Sequence, residues 1–299
     1  MRLAPRPLWP LAAASCAALA VGVLAHPSPA AAARTSALAG TEPAAGTLPN
    51  PSHVVVVMEE NHSFSDIIGS SSAPYINSLA NSGALMTASF AVTHPSEPNY
   101  LALFAGSTFG LSSDKCPVSE GGAANLGSEL LAAGDTFVGY SESLPKAGST
   151  VCTSGEYARK HAPWVNFSNV PGADSVPFTQ FPGSTNFASL PTLSFVIPNL
   201  LDDMHDGTIA QGDSWLKSKL SAYATWAASN NSLLIVTWDE DDSSQGNQIP
   251  TIVVGAHVKA GQYSEKINHY NVLRTLEQIY GLTPTGNAAG ATVITDIWN

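Results

Sequence analysis

The sequence predicts one α/β domain built on a mainly parallel central sheet with helices on both faces, and three observations carry that expectation. Apolar, β-branched runs at residues 54–58, 136–140, 193–197, 233–238 and 251–254 have the length and hydrophobicity of buried strands. Segments of helical period lie between them. Polar clusters follow directly on three of the runs, as site loops do at the carboxyl edge of an open parallel sheet.

The N-terminus is set apart from this pattern. Arg2 and Arg6 precede an apolar Ala/Leu/Val-rich stretch over residues 8–25, followed by small-residue cleavage sites, which predicts a secretory signal peptide over residues 1–33 and a secreted protein. The run is short and broken by Pro10, so a retained membrane span is not expected. Residues 34–52 are rich in Ala, Gly, Thr, Ser and Pro without apolar periodicity and read as a disordered leader. The folded domain is expected over residues 53–299. Loss of the signal removes Cys16 and leaves Cys116 and Cys152 as an even pair, for which export predicts a disulfide.

Along the domain, Pro74 to Ser82 reads as a helix stopped by Gly83 as its C′ residue. Residues 213–229 place Trp215, Leu216, Leu220, Tyr223 and Ala227 on one stripe, with Asp213 as the expected N-cap. Residues 270–280 do the same with Leu273, Leu276 and Ile279 ahead of Gly281. The segment 116–191 is less regular and reads equally as a cap over the site or as an excursion stapled by the disulfide.

The formal net charge of -11 excludes bulk attraction to nucleic acid or to an anionic membrane. Transient membrane-surface contact would need local positive charge, for which Lys115, Lys146, Arg159 and Lys160 are the nearest candidates. Much of the acid gathers at Glu59-Glu60, Asp202-Asp203, Asp206, Asp213 and residues 239–242, as either cation-binding groups or solvated loops.

Ser96 stands in a turn held by Pro95 and Pro98, ahead of a helix-like segment that ends at Gly106. Free N–H groups at a helix start stabilise an alkoxide or a bound phosphate, while Ser96 and Asn99 also suit plain helix caps. His94 is near enough in sequence to carry a proton. Glu60, Asn61, Asp239 and Glu240 offer hard oxygen donors suited to a divalent cation, which would lower the proton affinity of the serine hydroxyl. His205, flanked by Asp203 and Asp206, is expected to stay protonated in mild acid and to serve a leaving alkoxide or bound phosphate. His269 is a second candidate of that kind. His26, His53, His161 and His257 lack such neighbours and receive no role.

Glu59-Glu60-Asn61-His62-Ser63, Thr93-His94-Pro95-Ser96-Glu97-Pro98-Asn99-Tyr100, Asp203-Met204-His205-Asp206-Gly207 and Thr237-Trp238-Asp239-Glu240-Asp241 occur in this order. They resemble the motifs of the bacterial phosphoesterase family of acid phosphatases and phospholipases C, related in fold to alkaline phosphatases. The resemblance extends over nearly everything from His53 to Trp298. It implies an alkaline-phosphatase-like fold, Ser96 as nucleophile with a phosphoserine intermediate, and Glu60, Asn61, Asp239 and Glu240 around a divalent metal cation. His94 and His205 match polar positions of these motifs and are expected in acid/base and phosphate-binding roles, with Asn99, Asp206 and His269 placed beside them as further candidate catalytic residues. Phosphate monoesters, including phosphoinositide lipid headgroups, are the implied substrates.

Departures from the pattern sharpen this. Two-zinc alkaline phosphatases carry an aspartate-histidine pair where Asp239-Glu240 stands, and a four-residue spacing where Asp203 and His205 are two apart, which weighs against a dinuclear zinc site. The family's larger phospholipases C carry additional C-terminal domains, so a phosphomonoesterase is expected over a phosphodiesterase. A calcium-dependent binding protein could use the acidic loops without bringing His94, Ser96 and His205 together.

Overall fold

A computed structural model describes residues 48–299. The signal-peptide and Cys16 assignments, and residues 34–47 of the leader, lie outside the described residues. The central sheet has eight strands in the order β10-β2-β9-β8-β1-β7-β3-β6. In chain order the strands are β1 (His53–Glu59), β2 (Ala84–Phe90), β3 (Phe137–Ser141), the two-residue pair β4 (Thr153–Ser154) and β5 (Tyr157–Ala158), β6 (Ser175–Pro177), β7 (Leu193–Ile197), β8 (Ser232–Trp238), β9 (Thr251–Gly255) and β10 (Gly261–Asn268). β1 lies between parallel β7 and β8, with Val54 opposite Leu193 on one side and Leu233 on the other. In this sheet only β9 runs antiparallel to its neighbours β8 and β2. The carboxyl ends of β1, β2, β3, β7, β8 and β10 therefore open on a single edge.

The α-helices are α1 (Phe64–Ile67), α2 (Pro74–Ser82), α3 (Ser96–Ala105), α4 (Leu126–Ala133), α5 (Ile209–Ala227) and α6 (His269–Ile279). Strand side chains alternate between faces with period two, so Val54, Val56 and Met58 join one core and Val55 and Val57 the other. The first core packs under α3, α4 and α6 and holds Tyr100, Phe104, Trp164 and Leu273. The second packs under α2 and α5 and holds Ile76, Trp215, Leu220 and Tyr223. Helices thus cover both faces, as the sequence pattern requires.

Some local expectations are corrected. Gly83 ends α2 with extended backbone instead of left-handed, and it must be glycine because a Cβ there would stand 2.3 Å from the Val253 carbonyl oxygen. Asp213 does not cap its own helix: α5 starts at Ile209 under Thr208, and Asp213 Oδ1 accepts the Ile76 N–H at the start of α2. The sequence pattern also missed β2, α4 and β10. β10 is an edge strand with exposed, charged positions and has no apolar run to reveal it.

The irregular middle segment is part of the core. Trp164 is buried against Gly139, where a Cβ would meet the indole at 2.1 Å, and it packs edge-on to Phe104, Phe137 and Phe195. Cys116 and Cys152 form the expected disulfide. Arg159 is buried, its guanidinium donating to the carbonyls of Thr150, Val118 and Val165 and to Asn166 Oδ1, so it is withdrawn from the expected membrane-facing set. No helix among the described residues is long and apolar enough to cross a membrane.

Candidate active site

The open edge gathers residues from five strands. The β1/β8 pairing continues past the strand ends, the Asp239 N–H donating to the Glu59 carbonyl at 3.0 Å, while the Glu60 N–H donates to the Asp203 carbonyl at 2.8 Å. These bonds draw the loops after β1, β7 and β8 together. β2 leads through residues 91–95 into α3, whose first residue is Ser96.

Ser96 is buried, and its side chain makes no helix cap. Its hydroxyl donates to Glu60 Oε2 at 3.1 Å and lies 3.4 Å from Glu240 Oε1. His94 closes the far side of Glu240, with Nδ1 2.6 Å from Glu240 Oε2 and Nε2 3.2 Å from Asp241 Oδ1. Asp241 is fixed in turn, because its carboxylate accepts the backbone N–H groups of Ser243, Gln245 and Asn247. Asn247 then donates to the Thr93 carbonyl and ties that loop to the serine turn.

Asn99 does not face the site. Its Oδ1 accepts the N–H groups of Val92 and Thr93, and its Nδ2 donates to the carbonyls of Thr93 and Pro95. With the amide fully engaged and buried, Asn99 shapes the turn that presents Ser96, which corrects its expected placing among the reacting groups. The expectation of free N–H groups at the helix start also narrows, because the Glu97 N–H is taken by Asp114 Oδ1 at 2.9 Å.

His205 and Asp206 stand at the rim. His205 Nδ1 is 2.7 Å from Asp206 Oδ1, and no hydrogen bond joins either to Ser96, Glu60 or Asp239. His269 is buried beneath the site with Nε2 2.8 Å from the Asp239 carbonyl. Burial lowers its pKa to about 4, the bond to Asp239 opposing only in part, so it is a neutral support for the β8 end and not the acid/base group expected.

The residue that sequence reasoning missed is His161. It is buried, stacks on Tyr100 with ring centroids 4.9 Å apart, and lies 3.0 Å from Glu60 Oε1 and 3.5 Å from Asp203 Oδ2. Burial pulls its pKa down, but the two carboxylates prevail and raise it to about 9. Glu60 shows the converse: burial pushes it up, yet His161 and then Lys160 hold it at about 2. An imidazolium and a carboxylate therefore form a buried pair at the centre of the site. The run Arg159-Lys160-His161, in a chain with 12 Lys and Arg against 23 acids, was the available signal.

Other carboxyls move the opposite way. Asp239 is raised well above the usual range by burial and then by Glu60 and Glu240, and Glu240 is raised to about 7, chiefly by burial. One end of the Asn61 amide lies 2.9 Å from Glu60 Oε2 and 3.2 Å from Asp239 Oδ1, and Asp239 Oδ2 is buried without a partner. Such crowded oxygens fit a hard divalent cation by donor type. Among the described residues, no three His, Cys, Asp or Glu side chains already form a metal cage. Of the four expected ligands, Glu240 is the one already tied to His94.

The fold is alkaline-phosphatase-like, a mainly parallel sheet with helices on both faces and a polar site at its carboxyl edge. Solved structures with this architecture include the lipoteichoic acid synthase LtaP from Listeria monocytogenes, TM-score 0.61 at 11% identity over 85% of this chain and 78% of that one. A Vibrio parahaemolyticus protein described as belonging to the alkaline phosphatase superfamily gives a TM-score of 0.57 at 12% identity over 82% and 72%. The Phosphoesterase family model matches residues 70–283. The chain is 66% identical over 255 residues, 85% of each protein, to the phosphatidylinositol-3-phosphatase of Mycobacterium tuberculosis. It is 30% identical over 74% of its length to an acid phosphatase of Aspergillus fumigatus, of which it spans 54%. The chain belongs to the Phosphoesterase family and is a phosphoric monoester hydrolase.

Proposed function

We propose that the protein is a secreted acid phosphatase that cleaves phosphate monoesters, phosphatidylinositol 3-phosphate among them, with Ser96 as nucleophile. The observation that carries this is the buried Ser96 hydroxyl at the start of α3, set between Glu60 and Glu240 with His94 behind Glu240. The substrate follows from the mycobacterial relative's name and its 66% identity. Export follows from the apolar N-terminal segment and agrees with a disulfide-bonded domain.

In this mechanism Ser96 Oγ attacks phosphorus as its proton passes to Glu240 Oε1, whose other oxygen is held by His94. The ester P–O bond breaks, and the leaving alkoxide takes up the proton that the Glu240–His94 pair received from Ser96. Water then attacks the phosphoserine, gives up its proton to the same Glu240–His94 pair, and releases phosphate and the serine hydroxyl. Glu60, Asn61 and Asp239 would hold a divalent cation. When bound, it supplies positive charge against the phosphoryl oxygens and the serine alkoxide. His205 and Asp206, at the rim, receive the remainder of the substrate.

Activity on a chromogenic monoester tests the assignment. Ser96→Ala is expected to lose at least about 1,000-fold in kcat with the fold intact. Near-full activity in that variant would remove Ser96 from the reaction. Phosphate release from phosphatidylinositol 3-phosphate against headgroup release from phosphatidylcholine separates monoesterase from phospholipase C.

A further inference from the structure

Lys160 forms the one Lys–carboxylate or Arg–carboxylate salt bridge among the described residues, Nζ standing 2.9 Å from Asp114 Oδ2. In a chain this short of cations its position is informative. Asp114 accepts the Glu97 N–H with its other oxygen, so the pair is tied to the first turn of α3, one residue beyond Ser96. On the other side Lys160 is the covalent neighbour of His161, which meets Glu60, and Glu60 accepts the Ser96 hydroxyl. The ammonium is thus linked to the reacting centre through Asp114 and Glu97 on one side and through His161 and Glu60 on the other. Its side chain remains 20% exposed, as a group that meets an incoming ligand must.

The adjacent cation cannot do this. Arg159 has its guanidinium engaged by carbonyls in the interior. Lys160 has one partner, and that partner is itself an anion at the place where a phosphate would seek the helix start.

We propose that Lys160 is a phosphate-contacting residue: Asp114 holds its ammonium at the mouth of the site, and a dianionic phosphoryl group bound at Ser96 draws it onto a non-bridging oxygen. This rests on the phosphatase reading above and deepens it by naming the group that favours a dianion. An ammonium is a compact charge with three rotatable donors, so it can exchange one carboxylate oxygen for a phosphoryl oxygen without moving its backbone. A diester carries one negative charge fewer and gains less from the contact. Lys160 therefore contributes to selection of monoesters over diesters.

The test pairs two variants with inorganic phosphate as ligand. Lys160→Met is expected to raise the inhibition constant of phosphate at least about tenfold and to abolish most of the phosphate-induced rise in melting temperature. Its kcat/KM should fall further on p-nitrophenyl phosphate than on the bis ester. Asp114→Asn, which removes the competing charge but can still accept the Glu97 N–H, should bind phosphate at least as tightly as the parent. A salt bridge of purely structural worth would make the two variants behave alike, lowering the melting temperature and leaving phosphate affinity unchanged, and that result overturns the proposal. If Lys160→Met does not fold, Asp114→Asn decides: weaker phosphate binding in that variant also overturns it. Ser96→Ala keeps the phosphate-induced shift if Lys160 is the contact, while full turnover by Ser96→Ala would sink the nucleophile assignment and leave the phosphate measurements to be judged on their own.

Discussion

His161 Nε2 lies 3.0 Å from Glu60 Oε1, and both side chains are buried, so the carboxylate nearest the Ser96 hydroxyl is held charged by an imidazolium. Removing one partner of such a pair leaves the other as an unpaired charge in a low-dielectric setting. His161→Phe should therefore destabilise the fold by about 3–5 kcal/mol in urea unfolding near neutral pH. The double variant with Glu60→Gln should recover a large part of that loss, although not the activity. Equal stability of the single and double variants would show that the pair is not coupled.

Glu97 is expected to make stability depend on pH. Burial, followed by Asp114, raises its pKa to about 7 from 4.5, against the hydrogen bond from Asn166. The folded state therefore holds a proton that the unfolded chain has released. Stability from this group is complete below about pH 4.5 and declines as pH rises to about 7, by a total of about 2–3 kcal/mol. Glu97→Gln should flatten that part of the stability profile and raise the melting temperature most above pH 7. A wild-type profile that rises from pH 5 to pH 7 in parallel with the variant's would contradict this.

Asn99→Ala would strip four hydrogen bonds from the turn before α3. The expected cost is about 2–4 kcal/mol, with orphaned Val92 and Thr93 N–H groups as the main cause. Because Asn99 acts by presenting Ser96, kcat should fall while its pH dependence keeps the wild-type shape.

His269 offers a comparison between support and acid/base chemistry. His269→Gln can still donate to the Asp239 carbonyl and should lose no more than about tenfold in kcat, with the acid limb of the pH–rate profile unmoved. His94→Gln should lose more and alter that limb. Identical profiles for the two variants would return His269 to the reaction.

The fold was legible because its central strands are buried on both faces and show as apolar runs. Strands β7 and β8 needed almost no adjustment, whereas edge strand β10 left no such trace. Glu60, Asn61, Ser96, Asp239 and Glu240 were legible because strand ends bring distant segments to one edge, so their convergence could be anticipated from sheet topology. His161 was not, since its loop reaches the site through an irregular segment whose path depends on Trp164 packing, the disulfide and Arg159. Asn99 and His269 carried the residue types of reacting groups. Only their hydrogen-bond partners distinguish them as supports, and those partners are not local in sequence for His269.

The disulfide joins two limbs of chain whose neighbours matter more than the cysteines. Two residues before Cys116 stands Asp114, and the carbonyl of Cys152 accepts the N–H of Arg159, immediately before Lys160 and His161. One covalent bond therefore fastens both halves of the Asp114–Lys160 pair and the limb that brings His161 to Glu60. Where thiols stay reduced, the two limbs are joined by noncovalent contacts alone, the Asp114–Lys160 pair and the His161–Glu60 pair among them.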